Sequence, residues 1–295
     1  MIEVRSLTKF FGPECAVDEL SFTAPAGAVT GFLGPNGAGK TTTLRCLLGL
    51  AKPSSGTALI DGRPYRDLAA PRRHVGAVLE STGFHPSRSG RDHLRVVARA
   101  AGVDEARIES LLELVGLSGA GRRRVGGYSL GMRQRLGLAA AMLGDPGVVV
   151  LDEPANGLDP EGVAWVRRLL RMWADEGRTV LVSSHVLAEV AQVVDRVVII
   201  RKGALVRETD VGDLRGAVTV RVDRPESMLK ALRADAAEHK VRADGSIVVV
   251  GRDTAEVGAI AAAAGVVVTE LSRRSAGQSL EAMFLAATGG PEATP

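Results

Sequence analysis

Nine consecutive residues, Gly34-Pro35-Asn36-Gly37-Ala38-Gly39-Lys40-Thr41-Thr42, have the types and spacing to hold a string of phosphates. They satisfy the pattern GxxxxGK[ST], in which glycines let the backbone curl into a cup lined by inward-pointing N–H groups. Lys40 supplies a mobile cation for the β- and γ-phosphates, and the Thr41 hydroxyl can ligate Mg²⁺. A helix expected from about Lys40 to Leu50 aims its positive N-terminus at the same charge. Downstream, the apolar run Val148-Val149-Val150-Leu151 ends in two carboxylates, Asp152 and Glu153. Beside a phosphate cup, Asp152 is placed to hold Mg²⁺ through water opposite Thr41. Glu153 is placed to polarise a water for attack on a γ-phosphate. The chemistry open to these groups is hydrolysis of a nucleoside triphosphate.

Those groups need rigid carriers, and the apolar patterning supplies them. The run 28–33 reads as a buried strand feeding the cup, and the short alternating segments of residues 1–33 read as antiparallel strands. Strands are expected next at Thr57–Asp61 and Val75–Leu79. From Gly90 to Gly116 the period becomes helical, with Ile108, Leu111, Leu112 and Val115 on one face and Asp104 placed to cap. Ser129–Leu143 reads as another helix, Pro160–Asp175 as one with proline in its first turn, and His185–Val194 as a further one. Strands are expected at Val148–Leu151, Arg178–Ser183 and Arg196–Arg201. Strand and helix alternating around a phosphate loop define an α/β sheet domain.

Composition shifts near Arg215-Gly216, which sets expected domains at 1–215 and 216–295. The second reads strand 217–223, helix 225–236, two short strands across Ala243-Asp244-Gly245, helix 253–264 and strand 266–272. That order, βαββαβ, suits a small ferredoxin-like α+β domain. A last helix is expected over Ser279–Ala287, before a tail rich in proline and glycine.

A chain of 295 residues accommodates about two domains. An apolar content of 45% with 24% charged residues excludes wholesale disorder. The net charge of +3 does not make a nucleic-acid binder. Its arginines are scattered, and Arg72-Arg73 and Arg122-Arg123-Arg124 are short clusters with few aromatics nearby, as on solvated faces. Cys15 and Cys46 are too few and too far apart for a disulfide framework or a zinc site, so a reducing compartment is expected. Residues 1–5 lack the charged-then-apolar order of a signal peptide. The longest near-apolar run, Val257 to Val268, is too short to cross a bilayer, so any membrane role is expected to pass through a partner.

The order of phosphate loop, Tyr128-Ser129-Leu130-Gly131-Met132 at a helix start, Asp152-Glu153, Gly157-Leu158-Asp159-Pro160 and Ser183-Ser184-His185 resembles the ATP-binding cassette family over residues 1–215. The resemblance implies a P-loop ATPase domain with a mixed sheet core, an antiparallel β subdomain and a helical subdomain. ATP and Mg²⁺ are its implied ligands. Phe11 matches the aromatic that stacks on adenine, usually Tyr; Phe10 beside it is expected to pack in the core. Ser129 and Gly131 match the signature that closes on a nucleotide held by the other copy, and Asp159 the residue lining that seam. His185 matches the switch histidine beside the γ-phosphate.

Two departures from the family pattern stand out. The signature usually reads Leu-Ser-Gly-Gly-Gln, yet the capping serine and the second glycine are kept here. Glu80 occupies the place of the lid glutamine, keeping an oxygen for Mg²⁺ or water but losing an amide donor. These variants, with Gly83-Phe84-His85-Pro86 and Ser279-Leu280-Glu281-Ala282-Met283-Phe284, resemble the bacitracin- and daunorubicin-type exporters. The resemblance implies a head-to-tail homodimer driving a separately encoded polytopic permease, located at the cytoplasmic face of the plasma membrane. Drugs or antibiotics are the implied cargo. Soluble ABC ATPases of DNA repair or translation usually carry paired cassettes, long coiled-coil inserts or zinc cysteines, which this chain lacks. An importer subunit is the other alternative.

Overall fold

The computed structural model describes residues 1–79, 83–186, 190–211, 218–242 and 244–273. The chain divides into two compact units, Met1–Glu208 and Thr209–Pro295.

The first unit is built on a six-stranded sheet of β3 (Val29–Leu33), β5 (Val75–Val78), β6 (Val148–Asp152), β7 (Thr179–Ser184), β8 (Arg196–Arg201) and β9 (Ala204–Asp210), in the order β5-β6-β7-β3-β8-β9. The pairs β5/β6, β6/β7, β7/β3 and β3/β8 are parallel. Every residue of β3, β6 and β7 is buried, as expected of parallel strands covered on both faces. β9 follows β8 after two residues, which makes that pair antiparallel. The sequence reading missed β9 because its residues are exposed or half-buried, so no apolar alternation marks it.

A second, three-stranded antiparallel sheet has the order β2-β1-β4, from β1 (Ile2–Phe11), β2 (Glu14–Ala24) and β4 (Ser55–Ile60). The expectation of antiparallel strands throughout residues 1–33 needs one correction. β3 leaves that sheet and joins the parallel one, its five consecutive buried residues demanding cover on both sides. One core joins the two sheets to helix α1 (Lys40–Leu47): Ile2, Leu7, Leu20, Phe22, Phe32 and Leu44 lie in it. Phe22 and Phe32 stack with ring centroids 5.1 Å apart.

After α2 (Pro71–His74), the helical stretch expected over 90–116 is two helices, α3 (Gly90–Ala101) and α4 (Ile108–Leu114). Gly102, at φ +64°, ends α3, and the Asp104 carboxylate restarts the chain by accepting from the Ala106 amide at 2.9 Å. They pack with α5 (Leu130–Ala141), and α6 (Pro160–Asp175) follows β6. Of the helix expected over 185–194, residues 187–189 lie outside the described residues; His185 sits in a bend at the end of β7, Val190 is helical, and residues 191–193 form a turn. Among the described residues, no helix is long and apolar enough to cross a membrane.

The second unit runs β10 (Val218–Val222), α7 (Pro225–Ala234), β11 (His239–Val241), β12 (Ile247–Val249), α8 (Thr254–Ala263) and β13 (Val268–Arg273). Its strands are ordered β11-β12-β10-β13, all neighbours antiparallel, which is the split βαβ arrangement. Val218, Val220, Met228, Leu232, Ile247 and Val257 form its own core. A reciprocal cap between Asp253 and Glu256 starts α8. The helix expected at 279–287 lies outside the described residues.

Tyr128 ties the segment leading into α5 to the helical region. It is buried, and its hydroxyl donates to the Ala120 carbonyl at 2.7 Å. Burial pushes its phenol pKa up, so it remains a donor through the physiological range. Replacing Tyr128 by Phe strands that carbonyl, and chemical denaturation should register a loss of about 1 kcal/mol.

Candidate nucleotide site

The cup is positioned by the break between β3 and α1. Gly39, at φ +102°, caps α1, and a Cβ there would lie 2.4 Å from the Ala16 carbonyl oxygen, so only glycine fits. With no side chain capping the helix, the amides of Lys40, Thr41 and Thr42 have no intrahelical acceptor and face an anion-binding concavity. Ala38 differs from the expected inward amide, because its N–H is spent in a turn on the Pro35 carbonyl at 3.1 Å.

A pocket of about 760 Å³ opens over this cup, lined by residues 35–42 together with Phe11, Cys15, Glu153, Asn156, His185 and Lys202. Lys40 is buried beneath it. Its Nζ donates to the Gly34 carbonyl at 2.7 Å and the Pro35 carbonyl at 3.3 Å, and lies 3.3 Å from Glu153 Oε1. The second Glu153 oxygen is 2.9 Å from His185 Nδ1 and accepts the His185 amide at 3.3 Å. A carboxylate only accepts, so Nδ1 carries the hydrogen in this contact.

Asp152 lies fully buried at the end of β6. One of its oxygens accepts from the Thr41 hydroxyl at 2.7 Å, the other from the Ser183 hydroxyl at 2.5 Å. Ser183 also accepts the Glu153 amide at 3.0 Å. Adjacent parallel strands β6 and β7 thus present Asp152 and Ser183 at the same level, where the register pairs them. Glu153 has a left-handed backbone, φ +50°, a conformation costing a β-carbon residue on the order of 1 kcal/mol. Thr41 and Asp152 place two hard oxygens side by side on the cup's floor, which suits Mg²⁺. That ion is usually held by one or two protein oxygens and completed by water and phosphate. Among the described residues, no cluster of three His, Cys, Asp or Glu forms an all-protein metal cage.

Other expected site residues lie elsewhere. Phe11 stands at the pocket mouth, 52% exposed, with Lys9 Nζ 4.7 Å from its ring centroid. Phe10 is 47% exposed, so the expected core packing fails for it. An irregularity in β1 between Lys9 and Phe10 shifts the alternation and turns both rings outward. Ser129, Gly131 and Asp159 do not line the pocket. Ser129 is exposed and caps α5, accepting the Met132 amide at 3.2 Å. Asp159 caps α6, accepting the Gly162 amide at 2.7 Å. Glu80 lies outside the described residues. Sequence reasoning missed Ser183 as the buried partner of Asp152. Asn156, Cys15 and Lys202 carried no motif signal. Cys15 and Cys46 are both free thiols.

The ABC transporter family matches residues 17–156, and a domain of unknown function (DUF8746) matches 216–281. The chain is 44% identical over 216 residues to the uncharacterized ABC transporter ATP-binding protein YhcH of Bacillus subtilis, covering 72% of this chain and 71% of that protein. To the bacitracin transport ATP-binding protein BcrA of Bacillus licheniformis it is 42% identical, covering 73% and 71%. The lantibiotic transport ATP-binding protein SrtF of Streptococcus pyogenes is 36% identical over 71% of this chain and 91% of its own length. A solved ATP-binding subunit of an ABC transporter superposes with a TM-score of 0.67 at 27% identity, over 72% of this chain and 91% of that one. The chain therefore belongs to the ATP-binding subunits of ABC transporters, proteins that hydrolyse ATP to drive transport across a membrane.

Asp159 has a measurable structural job as well. Asp159→Ala should lower stability by about 1 kcal/mol through the lost cap, whereas Asp159→Asn should keep most of it; thermal or denaturant melts of the two variants separate the cases.

Proposed function

We propose that this chain binds MgATP in the cup at residues 34–42, hydrolyses it with Glu153 as base, and powers a separately encoded exporter of antibiotic-like cargo. The observation that carries the reading is the convergence of Lys40, Glu153 and His185 on one pocket, above the Thr41–Asp152 pair. Phe11 offers a ring face to adenine, and the α1 amides receive the phosphates. Lys40 exchanges its carboxylate partner for phosphate oxygens, which frees Glu153 to take the proton of the attacking water. His185 orients Glu153 through Nδ1–H and lines the same pocket. Thr41 and Asp152 would hold Mg²⁺, which would offset charge building on the phosphate oxygens.

Ser129, Gly131 and Asp159 stand at helix starts outside the chain's own pocket, so in this reading they complete the site of a second copy. That yields a head-to-tail homodimer with two composite sites. A dimeric bacterial ABC transporter cassette shares the fold, with a TM-score of 0.65 at 22% identity over 71% of this chain and 98% of that one. Relatives named for bacitracin and lantibiotic transport support peptide antibiotics as the cargo class. The permease would dock at a second, largely apolar cleft of about 310 Å³ among Leu48, Leu50, Tyr65, Arg72, Leu79 and Val97. The chain would then act at the cytoplasmic face of the membrane. The 216–295 region is read as an accessory domain for assembly or regulation.

Glu153→Gln should slow hydrolysis by about 10²–10⁴ while ATP still binds, and an unchanged turnover would remove Glu153 from the base role. Lys40→Ala should lose most nucleotide affinity in calorimetric titration; wild-type binding in that variant would contradict the cup as the phosphate site.

A further inference from the structure

The hairpin between β8 and β9 turns on two residues, Lys202 and Gly203, both with positive φ, +50° and +83°. Such mirrored two-residue turns favour Asn, Asp or Gly at the first position, because Gly has no Cβ to clash at φ above zero and Asn and Asp offset the strain by hydrogen-bonding locally. A lysine is held there nonetheless. The turn cannot swing away from the cup. The Gly203 amide donates to the Ala38 carbonyl at 3.0 Å, and the Gly203 carbonyl accepts the Asp18 amide at 3.0 Å. A Cβ on Gly203 would lie 3.0 Å from the Ala16 carbonyl oxygen, so the packing is close. Lys202 consequently forms part of the pocket wall.

Electrostatics gives the position meaning. The pocket is shaped for a polyanion, and its other lysine, Lys40, is already held by two carbonyls and Glu153. Lys202 is exposed and has no ion-pair partner among the described residues. Its anchors, Ala16 to Asp18 and Ala38, belong to the side of the cup that leads toward Phe11, whereas Glu153 and His185 gather around Lys40. A cation there meets the part of a bound nucleotide that ADP and ATP share.

We propose that Lys202 is a second nucleotide-binding cation, acting at the α-phosphate end and setting affinity for ADP and ATP alike. This rests on the nucleotide reading of the pocket. The test is Lys202→Asn, which supplies a residue favoured by the turn while removing the charge. Calorimetric titration of the full-length protein with ADP and with a non-hydrolysable ATP analogue should show both dissociation constants raised about three- to tenfold. The difference should shrink at high salt, and Lys202→Arg should restore binding. The melting temperature of Lys202→Asn should equal or exceed that of the wild type, separating lost charge from lost structure. Affinities within twofold of wild type for both nucleotides, or a loss confined to the ATP analogue, would overturn the proposal. Failure of the wild-type protein to bind either nucleotide would instead overturn the pocket reading, and this inference with it.

Discussion

A buried ammonium group governs the architecture of the larger unit. Lys40 lies at 6% exposure, and a charge so placed costs several kcal/mol unless neighbours replace its water. Two loop carbonyls and the Glu153 carboxylate do so. Each requires a different piece of chain to end at the same spot: the β3–α1 loop for the carbonyls, β6 for Glu153, and β7 for the His185 and Ser183 groups that hold Glu153. Side-by-side parallel strands meet that demand, because their C-terminal ends emerge at one edge. The fully buried β3, β6 and β7 are therefore the foundation of the site.

The same arrangement makes the site responsive. A lone Lys40–Glu153 pair would be an inert buried ion pair, with its attraction spent against desolvation. Here it sits at the floor of an open pocket, so a stronger anion can compete for the lysine. In the proposed function, phosphate arrival and carboxylate release would be one event, leaving the machinery idle until its substrate is present.

Much of this was legible in the sequence, for physical reasons. The phosphate loop, the apolar strand ending in Asp152-Glu153 and the helix from Pro160 are local patterns whose neighbours agree with them. The βαββαβ order of the second unit follows equally local signals. Features fixed by distant contacts stayed hidden. β9 is an edge strand without alternation, and Phe10 is turned outward by an irregularity in β1 that no residue type announces. Ser183 reads as an ordinary strand-end hydroxyl until β6 is laid beside β7. Lys202 acquires neighbours only because Gly203 is bonded to Ala38.

The left-handed backbone of Glu153 has an implication for how such proteins can be hardened against heat. A glycine there would relax the chain and remove the one carboxylate that touches both Lys40 and His185. With Glu153 as the proposed base, thermal robustness and turnover would pull in opposite directions at this single position. Stabilising this chain without touching that position would have to draw on caps, surface pairs or the packing of the second unit.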